Sequence, residues 1–170
     1  MMAPKWNEMK HRVRIARETK LPRLLFRKIL VPVDGSENSN RAIRIATAIA
    51  KKYAARLFIV HVIPTPVYLY TGQVSSSPFV GQYMEIADRE ARKIVNEGVL
   101  LAKSHGVKAT GKIIRHVPSV VEAVVGYAAR KRADLIVIGT RGLSGFKKLL
   151  MGSVTSGIVS HAHCEVLVVR

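Results

Sequence analysis

Five strand-like runs are spaced along this chain: KILVPVD (28–34), RLFIVHVI (56–63), VKATGKIIRHV (107–117), DLIVIG (134–139) and EVLVV (165–169). Most show no polar alternation, which marks strands buried on both faces. Helical patterns fill the gaps. Ala42, Ile45, Ala46, Ile49 and Ala50 recur at helical spacing. A polar helix is predicted from about Tyr83 to Ser104, stopped by the C-cap glycine Gly106. Pro118 and Ser119 open a helix to about Lys131, and another runs from Ser153 to about His161. Such alternation implies a parallel sheet with helices on both faces, doubly wound because crossovers are right-handed. Ligands of such sheets sit beyond the carboxyl ends of the strands. PVDGS (32–36) and GTRGLSGFKKLLMGS (139–153) both lie there.

The second of these stretches has four glycines, two lysines and an arginine. It is not a Walker A loop: five residues past Gly139 stands Ser144, and five past Gly142 stands Lys147. Arg141 breaks G-x-G-x-x-G, and Phe146 breaks G-x-S-x-G. What remains is Gly139-x2-Gly142-x9-Gly152-Ser153. Gly139 and Gly142 let the backbone turn and approach a ligand closely. Gly152 and Ser153 open a helix, whose free N–H groups and dipole favour phosphate. Hydroxyls of Ser153 and Thr155 add candidate hydrogen bonds.

The chain has 170 residues, 48% of them hydrophobic, enough for one domain with a sizeable core. No apolar run approaches the ~18–20 residues of a membrane span, and no secretory signal is evident. The single cysteine, Cys164, excludes an internal disulfide framework and fits a reducing cytoplasm. Net charge is +17, from 28 Lys/Arg against 11 Asp/Glu, which favours anionic partners. Residues 1–28 hold nine of those cations against two glutamates. Residues 1–27 read as a basic extension with one short helix around Val13 to Ala16, Met9 being an alternative start; residues 28–170 form the domain. The extension permits nucleic-acid binding, although Trp6 and Phe26 are its only aromatics.

The glycine pattern resembles the nucleotide-binding signature of the universal stress protein family, in its ATP-binding branch. ILVPVDGS (29–36), HVI (61–63), DLIVIGTRG (134–142) and GSVTSGIVSHAHCEVLVV (152–169) resemble that family in order, covering about Lys28 to Arg170. The resemblance implies a five-stranded doubly wound fold of order 3-2-1-4-5, a homodimer and a site for ATP with Mg²⁺. It places Pro32, Val33 and Asp34 beside the adenosine, with Asp34 near adenine or ribose. Val62 lines the adenine pocket, and Ile138 packs near the ribose. Gly139, Gly142, Gly152, Ser153, Val154 and Thr155 hold phosphates. It implies a nucleotide-dependent sensor or regulator; a slow ATPase and a nucleic-acid binder are the alternatives.

The chain departs from the family pattern at two places. His116 stands where a glycine is usual, and could narrow the adenine pocket. Glu165 replaces a usual proline ahead of the last strand. In the implied order Val166–Val169 lies at a sheet edge, and so apolar an edge needs a partner, here a second copy. Arg141, Lys147 and Lys148 either neutralise triphosphate or form a solvated basic face. Tyr68, Tyr70 and Phe79, in the long loop 64–81, close over a ligand or pack against the dimer partner. HAHC (161–164) reads as a helix-to-strand turn rather than a metal site, and no catalytic set is evident beyond Asp34.

Overall fold

The structure is a computed structural model, and it describes residues 26–65, 78–143 and 151–170. The expected extension, apart from Phe26 and Arg27, and most of the 64–81 loop lie outside these residues. Among them the chain runs β1 (Lys28–Pro32), α1 (Glu37–Tyr53), β2 (Arg56–Pro64), α2 (Pro78–Ser104), β3 (Ala109–Val117), α3 (Val120–Lys131), β4 (Leu135–Gly139), α4 (Ser153–His161) and β5 (Glu165–Val169). The five strands form one parallel sheet of order β3-β2-β1-β4-β5, the doubly wound fold expected.

Strand pleating divides the core into two layers, because successive side chains point to opposite faces. Ile29, Val31, Leu57, Ile59 and Val137 pack with Ala42, Ala46 and Ala50 of α1 and Val95 and Ala102 of α2. Leu30, Phe58, Val60, Ile136 and Ile138 pack with Val124 and Ala128 of α3 and Ile158 of α4. Each fully buried Leu, Ile or Val contributes about 1.5–3 kcal/mol. The alanine stripe keeps α1 close to the sheet. Where α2 crosses β3, a Cβ at Gly111 would collide with Val95, so glycine sets that contact.

Helix ends follow local chemistry. Ser36 and Ser119 cap α1 and α3, their hydroxyls accepting from the N–H of Ser39 and Glu122 at 3.2 Å. Gly106 takes φ 78°, as its C-cap reading requires. One helix differs from expectation: α2 starts at Pro78, not near Tyr83. Proline lacks only an N–H that a first helical turn would leave unpaired, so the Pro78 that signals a loop also starts a helix.

The two sheet edges differ. β3 exposes Thr110, Gly111 and Lys112. β5 exposes Glu165 and Leu167, the latter 38%, beside Val159 of α4 at 46%. Among the described residues no helix is long and apolar enough to cross a membrane.

Candidate functional site

A cavity of about 220 Å³ opens at the carboxyl ends of β1, β2 and β4. β1 and the turn after it supply Pro32, Val33 and Asp34, β2 supplies Val62, and β4 supplies Ile138 and Gly139. Gly142 follows on the loop, and Gly152, Ser153, Val154 and Thr155 return on α4. The residues that the resemblance assigns to adenosine and phosphates therefore all line one cleft. They converge because the sheet order puts β1 beside β4, although β4 starts about 100 residues later in the chain.

The loop after β4 is pinned at several points. Gly152 N–H donates to Thr140 O at 2.8 Å, joining its two ends. Asp34 ties it to β1: Oδ1 accepts from Ser36 N–H and Oδ2 from Leu143 N–H, both at 3.0 Å. The Asn38 amide also donates to Arg141 O at 3.4 Å. The glycines have separate causes. A Cβ at Gly139 would come within 2.8 Å of Asn38 Cβ and 2.9 Å of its carbonyl carbon, so α1 starts where only glycine fits. A Cβ at Gly142 would strike the Asp34 carboxylate. At Gly152 the nearest atom among the described residues is Thr140 O at 3.4 Å and φ is −72°, so those residues make little demand for glycine there.

The start of α4 carries the chemistry. Its N-cap is Gly152, with no side-chain cap hydrogen bond, whereas α1 and α3 have serine caps. The first N–H groups of this helix and the positive end of its dipole thus open on the cleft, an arrangement suited to an anion. Ser153 is exposed there. Thr155 plays a different part from the one its hydroxyl suggests. That hydroxyl is buried and donates to Gly139 O at 2.7 Å, bracing β4 against α4 and leaving the backbone N–H as Thr155's donor.

Two polar side chains that sequence reasoning gave no role also line the cleft: His61 and Ser39. His61 Nδ1 lies 2.8 Å from Val33 O and, against a carbonyl, acts as the donor. The signal was its place in HVI at the end of a strand. Arg141 lines the cleft as well, while Lys147 and Lys148 lie outside the described residues, as do Tyr68, Tyr70 and the side chain of Phe79.

His116 does not line this cleft. It borders a second depression with Ile63, Met84, Asp88 and Arg115. Its φ is 55°, the left-handed region glycine enters without strain, which explains why glycine suits this position. Beside it, hydrogen bonds from Arg92 and Arg115 hold the Asp88 carboxyl below its ordinary range. In HAHC, His161 Nδ1 lies 2.8 Å from Gly157 O. Burial pushes the Cys164 thiol up, with Glu165 and Asp134 adding to the shift, so the thiol stays protonated at neutral pH.

Comparison with known proteins agrees with the geometry. The model of the Universal stress protein family matches residues 25–170. Universal stress protein MJ0531 of Methanocaldococcus jannaschii is 34% identical over 146 residues, covering 86% of this chain and 83% of that protein. Among solved structures, universal stress protein UspA from Lactobacillus plantarum superposes with TM-score 0.72 at 25% identity, covering 85% of this chain and 98% of the other. A universal stress protein in complex with cAMP superposes with TM-score 0.59 at 27% identity, covering 86% and 98%. A family match across nearly all of the fold, together with the strand order, makes this chain a member of the universal stress protein family.

Proposed function

We propose that the cleft binds an adenine nucleotide, ATP with Mg²⁺, and that the protein works as a nucleotide-dependent sensor or regulator. The carrying observation is the start of α4 at Gly152, which has no side-chain cap and for which the described residues show little structural need of glycine. Gly139, Gly142, Gly152, Ser153, Val154 and Thr155 would hold the phosphates. Pro32, Val33, Asp34, Val62 and Ile138 would hold the adenosine. The complex of a relative with cAMP supports an adenine ligand. Mg²⁺ at such sites is carried mainly by the phosphates and water, and the Ser153 hydroxyl at the phosphate end is suited to add a ligand. Asp34 is the only carboxylate lining the cleft among the described residues, and both its oxygens accept backbone N–H groups. That engagement favours binding over hydrolysis.

In this reading residues 28–170 are the nucleotide-binding unit, residues 1–27 a basic extension, and the protein acts in the cytoplasm as a homodimer. The dimer would join through Val166–Val169, since the β5 edge exposes Leu167 where the β3 edge presents Lys112. Light scattering at micromolar concentration checks it: a monomer removes β5 from any interface.

Calorimetry with ATP and Mg²⁺ tests the site. Gly152→Val should leave the protein folded and weaken ATP at least about tenfold, or ~1.4 kcal/mol. Unchanged affinity in the folded variant refutes the assignment, and phosphate release in the same mixture would mark an ATPase.

A further inference from the structure

The end of the sheet away from the cleft is where the strands begin and where α1, α2 and α3 stop. Register puts Lys28 beside Arg56, Leu57 beside Ala109 and Ile29 beside Leu135. Backbone bonds run across this end: Arg56 N–H to Arg27 O at 2.8 Å, Leu57 N–H to Lys108 O at 2.9 Å, and Asp134 N–H to Lys28 O at 2.8 Å. Neighbouring strands lie ~4.8 Å apart, so Lys108, Arg56 and Arg27 emerge within ~10 Å of one another along the row.

The charge here is one-sided. Lys51, Lys52, Lys103, Arg130, Lys131 and Arg132 belong to the last turns and caps of the helices. Cations there complement the negative end of the helix dipole. Arg27, Lys28, Arg56 and Lys108 stand instead at strand starts, beyond the reach of that explanation. All of these cations are exposed except Lys28 and Lys131, the latter lying over the rings of Phe58 and Tyr127. The carboxylates at this end, among the described residues, are Glu165 and Asp134. Asp134 Oδ2 is taken up by the N–H groups of Arg27 and Lys28, both at 2.8 Å. The chain that joins the fold at Phe26 adds seven Lys/Arg against two glutamates over residues 1–25.

We propose that this end face docks the phosphate backbone of double-stranded nucleic acid, without regard to sequence. A duplex presents one negative charge per ~1.7 Å of axis and rewards a broad field of Lys and Arg. The face fits a duplex better than a single strand, because Tyr53, the aromatic nearest the caps, is packed edge-on against Phe26 and offers no stacking platform. It fits a duplex better than a bilayer, because the exposed apolar side chains nearest this end, Leu100 on α2 and Val159 in the last turn of α4, are single residues among cations and do not form an apolar face to insert. The proposal stands apart from the nucleotide reading, whose residues lie at the opposite end of the sheet.

The test is fluorescence anisotropy of a short mixed-sequence DNA duplex with the full-length protein, titrated between ~50 and ~200 mM salt. The wild type should bind with a steep salt slope. Replacing Lys51, Lys52, Arg56 and Lys108 together by Gln should lower the slope of log K against log salt by about 3 to 4, at ~0.9 per lost phosphate contact. Removing four exposed cations from elsewhere, Arg44, Arg89, Lys93 and Lys112, should change it by less than about 1. If the quadruple end-face variant melts early, Lys103→Gln with Arg130→Gln gives a milder test, with an expected fall of about 2. Equal losses in both sets, an unchanged slope, or no duplex binding by the wild type would overturn the proposal. So would end-face substitutions that abolish binding to phosphatidylserine vesicles and leave duplex binding intact.

Discussion

The two ends of this parallel sheet both suit anions, and they do so by opposite means. At the carboxyl ends of the strands the attraction comes from backbone: the uncapped N–H groups of α4, aimed into a cavity of about 220 Å³. At the amino ends it comes from side chains, gathered where helix carbonyls and strand starts meet the solvent. Backbone donors are fixed in direction and reach only the first shell, so they select for shape. Exposed Lys and Arg are flexible and are screened by salt within ~10 Å, so they select for charge density. One topology thus yields a selective end and a permissive one.

A pair of aspartates makes the comparison testable, since each end has one that grips two backbone N–H groups. Asp134→Ala should have the larger effect on stability, about 2 kcal/mol or ~6 °C in Tm, because it unpins the central strand β1 from the β4 side. Adenine-nucleotide affinity should not move. Asp34→Ala should cost less stability, about 1 kcal/mol, because it frees a loop and not a strand. Its main signature should be a roughly tenfold loss of nucleotide affinity, ~1.4 kcal/mol. Thermal melts and calorimetry on both variants check this, and equal behaviour would erase the distinction between the ends.

The smallest expected effect is the sharpest. Gly152→Ser supplies the cap that α4 lacks, so the protein should gain a few tenths of a kcal/mol. The same hydroxyl would occupy an N–H that phosphate needs, so nucleotide affinity should fall. Stability and affinity rising together in this variant would mean that the helix start is not the phosphate site.

The cleft was legible in the sequence because its residues sit at strand ends and helix starts, which Gly, Asp and Ser mark strongly. KILVP and DLIVIG declared themselves as strands through unbroken apolar runs, and Gly139 and Gly152 marked where the chain turns at the cleft. The basic end face was not legible. Its cations come from four separate stretches, each resembling an ordinary solvated helix end or strand start, and only the strand order brings them together. Side-chain direction was hidden as well: Thr155 turns its hydroxyl to Gly139 O, and His116 faces away from the cleft. The start of α2 was missed because Pro78 and Gly81 carry the same residues a loop would use.

The central position of β1 governs the order in which the protein can mature during synthesis. β1 receives its β2 neighbour early, since Lys28 pairs with Arg56. Its other side waits for Leu135 and Ile136, and Asp134 closes on Lys28 across a separation of 106 residues. At ribosomal speeds of ~5–20 residues per second, one edge of that strand stays unpaired for roughly 5–20 s. A nascent chain in that interval carries a three-stranded precursor in which the later cleft has only half its wall. A ligand that needs both walls of the cleft therefore cannot assist the early steps of folding, and can reward only the chain whose last two strands have already joined the sheet.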